Sequence, residues 1–174
     1  MTTATKAEQL QEIGQNAYSC LVDMVYALEC DYDRLDDLKD DRDSHVGYGD
    51  DKATFPKQWA KEFPDDAEEL AELTEEAGDC ADEDTARERM QDDPLSVLVR
   101  SGWSTPGGTA DAEEFELLLT TGGPAVRIRG SLNEHKEPAS AVLQAQDWFT
   151  PWTDFEAADE DVLLKYAACF YYGE

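Results

Sequence analysis

Bases are scarce in this sequence: 14 Lys and Arg stand against 41 Asp and Glu, a formal net charge of −27. A chain so short of cations repels phosphate rather than neutralising it, which excludes direct binding to nucleic acid. The same repulsion excludes an anionic membrane surface as a partner. Long apolar runs are missing too; none approaches the ~18 residues that a membrane-crossing helix requires. Histidine is nearly absent, with only His45 and His135, each in a polar, loop-like context that reads as surface rather than as a general base. Cys20, Cys30, Cys80 and Cys169 never form a Cys-x-x-Cys pair, so no metal site is expected. They read as free thiols, Cys20 and Cys169 lying in apolar surroundings that suggest core packing. Residues Met1–Glu8 show no basic run followed by an apolar one, so a secretory leader is not expected and a cytoplasmic location is.

Catalytic signatures are equally sparse. The sequence holds no Gly-x-Ser-x-Gly elbow, P-loop, His-Glu-x-x-His or dinucleotide fingerprint, and no catalytic residue or cofactor is assigned. Paired carboxylates are no signal for a hydrolase, because any two of 41 acids can converge. An EF-hand calcium loop also fails. A frame starting at Asp31 puts Leu35, Asp36 and Arg42 at its fifth, sixth and twelfth places, and one starting at Asp41 puts His45, Val46 and Lys52 there. The expectation is a protein that is not an enzyme.

What is present is enough apolar matter to fold. Hydrophobic residues make up 41% and aromatics 10% of 174 residues, too many for a disordered acidic tail and the right length for a single domain, 1–174. Its two halves differ in grammar. From Lys6 to Glu29, Leu10, Ile13, Ala17, Leu21, Met24, Val25 and Leu28 recur at helical spacing. A second helix is expected over Asp31–Asp43, then a loop over Ser44–Asp50 with Gly47 and Gly49 as breakers. Pro56 opens a short helix and Pro64 another that runs to Ala77, where Gly78 ends it. Asp82–Met90 predicts one more. After Pro94 the period becomes two, predicting strands over Leu95–Ser101, Glu114–Thr121, Ala125–Leu132 and Ser140–Trp148, with Gly122-Gly123-Pro124 as a hairpin turn. Helical spacing returns over Asp159–Tyr171. The expected class is α+β: an acidic helical half, 1–94, packed on a four-stranded, mostly antiparallel sheet with a C-terminal helix, 95–174. The run Trp148–Phe155 reads as Trp148 and Phe155 covering the edge where the sheet meets the last helix; an exposed recognition surface is the alternative.

The acids are concentrated. Residues 1–94 carry 28 acids and nine bases, and residues 95–174 carry 13 and five. Asp65, Glu68, Glu72, Glu75, Glu76 and Asp79 fall at three- and four-residue spacing, a stripe on the outer face of one helix. Asp33, Asp36, Asp37, Asp40 and Asp41 make a second, and Asp50-Asp51, Asp82-Glu83-Asp84 and Asp92-Asp93 add clusters. Like charges so spaced cost a helix a few tenths of a kcal/mol per pair. A compact chain of this length is on the order of 40 Å across, and duplex DNA of that length carries roughly 24 phosphates, close to the net charge here. These eleven carboxylates are therefore the candidate contact residues for a positively charged nucleic-acid-binding protein, reached by electrostatic steering.

The small size, extreme acidity and lack of catalytic residues resemble the DNA-mimic inhibitors of phages and plasmids, the antirestriction and anti-CRISPR proteins. That resemblance implies a bacterial host cell and a role as inhibitor of a CRISPR effector or a restriction enzyme. Arg100-Ser-Gly-Trp103, Leu118–Gly130 and Gln146–Trp152 are, in addition, similar to small proteins of bacterial mobile elements and phages, which implies genomic context alone. Two other readings compete: an acidic protein–protein adaptor using Trp148 and Trp152, and a salt-adapted surface. Seven Lys against seven Arg and four Cys speak against the last. Pairing of two copies would extend the charged surface, so a homodimer is a candidate assembly.

Overall fold

The computed structural model describes residues 5–47, 54–108 and 110–173. Helices come first: α1 (Lys6–Glu29), α2 (Tyr32–Ser44), α3 (Phe55–Glu62), α4 (Pro64–Ala77) and α5 (Glu83–Asp92). Strands β1 (Ser96–Ser101), β2 (Ala112–Thr120), β3 (Ala125–Leu132), β4 (Pro138–Gln146) and β5 (Thr153–Asp154) follow, and α6 (Glu160–Ala167) closes the order. The class is α+β, as the change of period implies. Among the described residues the sheet has five strands rather than four, in the order β1-β2-β3-β4-β5 with every neighbour antiparallel. The additional β5 is two residues paired to Gln144 and Ala145, too short to have a period of its own. Half of the expected Ser44–Asp50 loop, with Gly49 and the Asp50-Asp51 pair, lies outside the described residues.

Contacts gather into two compact units. The first holds Met1–Val25 and Arg87–Glu174. Its core is one face of the sheet: Phe115 and Leu117 of β2, Val126 and Ile128 of β3, and Ala141, Leu143 and Ala145 of β4 are all buried. Alternation does this, since every second residue of a strand faces the same way. Helix α6 packs against β4 and buries Leu163, Tyr166 and Ala167. Asp159 caps it by accepting the Asp161 N–H at 2.9 Å. Close packing also fixes Gly14 of α1, where a Cβ would stand 2.6 Å from the Phe155 ring. The β2–β3 turn uses Gly122 and Gly123, both at positive φ (103° and 108°), which side chains rarely tolerate.

The sheet's other face is an ionic ladder. Glu114 accepts from Arg100 and, at 2.6 Å, from Arg129, while Arg127 reaches Glu116 at 2.6 Å and the Gln144 Oε1 at 2.7 Å. Cross-strand register puts these side chains opposite one another. Arg127 also lies 4.1 Å over the Trp152 ring. Phe155 is buried as expected, whereas Trp148 is 61% exposed and its ring lies against Gly123 of the β2–β3 turn.

The second unit is Tyr26–Ala86. Leu35 and Leu38 of α2, Trp59 of α3, and Leu70 and Ala77 of α4 bury one another together with Cys30. Asp31 caps α2 by accepting the Arg34 N–H at 3.0 Å. Gly78, at φ 56°, ends α4. The thiols reverse the expectation: Cys20 is exposed and Cys169 half-buried, whereas Cys30 and Cys80 are buried. Burial raises the Cys30 thiol pKa first, and the nearby Glu76 charge adds to it. His45 also departs from a surface reading, with its side chain 16% exposed and its ring edge-on to Phe63. His135 is exposed at 74%.

Tyr166 is fully buried and its hydroxyl donates to Asp93 Oδ2 at 2.6 Å. Tyr166→Phe leaves that carboxylate without its donor and is expected to destabilise the first unit by about 1–3 kcal/mol, read by urea unfolding; Val142→Ala on the exposed sheet face is expected to cost much less.

Candidate functional site

All eleven carboxylates singled out by spacing belong to the second unit, and all eleven are exposed. Helix geometry explains this. On α2 the buried positions are Leu35 and Leu38, and Asp33, Asp36, Asp37, Asp40 and Asp41 occupy the rest of the circumference. On α4 the buried Leu70 and Ala77, with Leu73 half-buried, define the inner face. Asp65, Glu68, Glu72, Glu75 and Glu76 lie away from it. Asp79 stands apart: α4 ends at Ala77 and Gly78 caps it, so Asp79 belongs to the following turn and not to the helical stripe.

What joins the two stripes is a residue that spacing alone does not single out. Arg34 of α2 reaches across to α4, where Nε donates to Glu69 Oε1 and Oε2 at 3.1 Å each and Nη2 donates to Glu69 Oε2 at 2.5 Å. Nη2 also donates to Asp66 Oδ1 at 3.2 Å. This is a forked, charge-assisted contact of the kind a planar guanidinium makes well. A second tie, from Cys30 Sγ, two residues before α2, to the Leu73 carbonyl at 3.5 Å, indicates the direction: the chain entering α2 meets a later part of α4 than Arg34 does, so the helices run antiparallel. Asp37 and Asp41 lie one and two turns beyond Arg34, on its side of α2. Asp65, Glu72 and Glu76 lie on the Glu69 side of α4 by the same rule. Helical spacing therefore places those five acids in a band that flanks the Arg34–Glu69 contact. Asp33, Asp36, Asp40, Glu68 and Glu75 sit further round their helices and widen the band rather than lining the seam.

The two helices are not equally acidic. Helix α4 carries seven carboxylates in 14 residues and no base. At ~1.5 Å per residue that is about one charge per 3 Å, against ~3.4 Å per charge along one strand of DNA. Helix α2 carries six acids but also Arg34, Lys39 and Arg42. Lys39 stands 3.5 Å from Asp36, and Arg42 bonds Asp43 at 2.7 Å. Among the described residues no ion pair engages Asp33, Asp37, Asp40, Asp41, Asp65, Glu68, Glu72, Glu75, Glu76 or Asp79. Asp66 and Glu69 are the opposite case, being drawn into the seam by Arg34. The clue to them in sequence is their position beside the Leu70–Leu73 face, within reach of a neighbouring helix.

The Arg34 hydrogen bonds hold the Glu69 carboxyl below the usual carboxylate range, and the Arg42 hydrogen bond does the same for Asp43. Other acids have local duties: at the start of α5 Asp82 accepts from the Thr85 hydroxyl at 2.5 Å and from the Thr85 N–H at 2.7 Å, and these bonds, the hydroxyl's first, lower its pKa. Among the described residues no group of three or more His, Cys, Asp or Glu is placed to hold a metal ion, and no helix is long and apolar enough to cross a membrane.

A carboxyl whose pKa is lowered by folding contributes stability in full above its unfolded value, near ~4.3 for Glu, and loses it as pH falls through the lower folded value. The deficit of Arg34→Met against the unaltered chain is thus expected to be constant from pH 7 to about 5 and to shrink toward pH 3; thermal melts across that range check it. Compared with models of protein families, with curated proteins and with solved structures, the chain matches none.

Proposed function

We propose that the protein is a DNA-mimic inhibitor whose acidic α2–α4 face occupies the positively charged nucleic-acid channel of a bacterial defence complex, a CRISPR effector or a restriction enzyme. The observation that carries this reading is the band itself: exposed carboxylates on two antiparallel, packed helices, at a linear density like that of a phosphate strand, ten of the eleven outside any described ion pair. A groove lined with Lys and Arg gains from such a surface as it does from DNA, by steering and by charge complementarity. Binding of this kind weakens steeply with salt and is in competition with duplex DNA.

The residues that give the band its charge include several that make no described ion pair and bury no surface in the core. Glu68, Glu72 and Glu75 are exposed and lie on the side of α4 away from Leu70, Leu73 and Ala77. Replacing all three by Lys relieves like-charge repulsion, and at position 75, in the last turn of α4, Lys is favoured by the helix dipole by about 0.3–1 kcal/mol. The triple variant Glu68→Lys, Glu72→Lys, Glu75→Lys is expected to melt no lower than the parent and to lose inhibition at least a hundredfold. The check is a DNA-cleavage assay against CRISPR and restriction nucleases at low salt, and undiminished inhibition by the triple variant would sink this assignment of the contact face.

A second reading has an observation of its own. Trp148 and Phe149 are exposed at 61% and 99%, and Phe149 has a positive φ of 63°. Exposed aromatics are favoured anchors of protein interfaces. An adaptor that used them would bind with little dependence on salt and would lose its partner on Trp148→Ala, not on reversal of the α4 acids.

A further inference from the structure

Strand β1 lies at one edge of the sheet, its far side unpaired among the described residues. Edge strands of soluble proteins are usually blunted by inward charges, by proline or by a bulge, because their free N–H and C=O groups template pairing. β1 has little of this. Ser96–Ser101 contains one charge, Arg100, which already meets Glu114. Its register stays regular with β2 until the step from Arg100 to Ser101. Its apolar side chains are open on both faces: Val97 is 39% and Val99 51% exposed on the side of Phe115 and Leu117, and Leu98 is 55% exposed on the side of Glu114 and Glu116. Leu95, just before the strand, is 58% exposed.

The charge around this edge is as telling as its apolarity. In a chain with 41 acids, none falls between Asp93 and Asp111. This is a stretch that a second molecule of the same protein can approach, whereas the net charge of −16 on residues 26–86 opposes approach there. The sequence is also self-complementary. Two copies of an edge strand related by a two-fold axis must pair antiparallel, and opposed residues must face the same side of the sheet. A register centred on Leu98 meets both conditions. It sets Leu98 against Leu98, Val97 against Val99, and Ser96 against Arg100, so that apolar meets apolar on both faces and the two guanidiniums stay apart. Centring on Val99 instead would set Leu98 against Arg100.

We propose that β1 is a homodimer interface, at which the β1 strands of two copies pair antiparallel about Leu98 and join two five-stranded sheets into one. The assembly does not depend on the DNA-mimic reading, and salt separates the two. Salt screens the repulsion between two like-charged copies and strengthens the dimer, while it weakens binding to a basic channel.

Sedimentation of the full chain from about 5 to 500 μM, at low and at 0.5 M NaCl, tests this. A monomer–dimer equilibrium is expected, rising from 19.4 kDa toward twice that mass, with the dimer fraction larger at high salt. Leu98→Lys is expected to shift dissociation to at least tenfold higher concentration with an unchanged far-UV spectrum, while Val142→Lys, on the exposed face of β4, leaves it in place. Leu98→Cys in a Cys20→Ser background is expected to form a disulfide-linked dimer under mild oxidation, because directly opposed Cβ atoms lie ~4.5–5.5 Å apart and a shift of about 1 Å brings them within disulfide reach. A monomer under all conditions would overturn the proposal and leave the edge to a strand of a different protein. A dimer that Leu98→Lys does not weaken, or that Leu98→Cys does not lock, would overturn it as well.

Discussion

The Arg34 guanidinium is the constraint on which the acidic unit turns. Helices α2 and α4 together carry 13 carboxylates, and side by side they would repel along their whole shared length. Arg34 takes the two acids nearest the buried seam, Asp66 and Glu69, and leaves the rest facing solvent. Magnitudes show why the pair of helices holds. Each like-charge neighbour costs a few tenths of a kcal/mol at an exposed position, while each buried Leu contributes about 1.5–3 kcal/mol. Leu35, Leu38 and Leu70, with Trp59 among them, are 1–7% exposed. A handful of apolar side chains therefore outweighs a long row of repelling charges, and the band can exist as rigid structure rather than as a disordered tail.

The fold was legible wherever a local signal suffices. Pro64 and Gly78 punctuate α4 at its observed ends, and Ala125–Leu132 alternates as β3 does. The cysteines were misjudged because their burial depends on distant partners. Cys20 neighbours Leu21 yet falls off the buried side of α1, whereas Cys30 and Cys80 lie between helices, where no period marks a core position. Strand β5 is two residues long and is defined by pairing to β4 alone. In the acidic unit, the exposed stripes followed from spacing, but their junction did not. Arg34 meets acids 32 and 35 residues away, and no pattern within one helix encodes that. Asp79 shows the converse error, a spacing that runs on past the glycine that stops the helix.

The acids divide by what they touch. Asp31, Asp82 and Asp159 accept backbone N–H groups at helix starts, where negative charge is favoured by the helix dipole. Asp66, Glu69, Asp43, Glu114 and Glu116 meet guanidiniums. Those contacts account for these carboxylates by stability alone. Apart from Asp36 beside Lys39, the band on α2 and α4 has no such account among the described residues, and that separation is what makes it a candidate contact surface.

Placement along α4 sharpens the point. Asp65 and Asp66 stand in its first turn, where acids help, but Glu75 and Glu76 stand in its last turn with no base beside them, where the dipole opposes them. A surface made acidic only for solubility has no need of that arrangement, since carboxylates can be placed wherever they cost least. Nor would it need to crowd them. Residues 26–86 hold 22 acids and six bases, a net −16 in 61 residues, while the larger first unit holds a net −11 in 113. Charge per residue is more than twice as dense in the acidic unit, and it persists to the helix end that disfavours it. Under the proposed function a basic nucleic-acid-binding groove would supply the missing compensation, its cations offsetting at the interface the repulsion that the free protein carries.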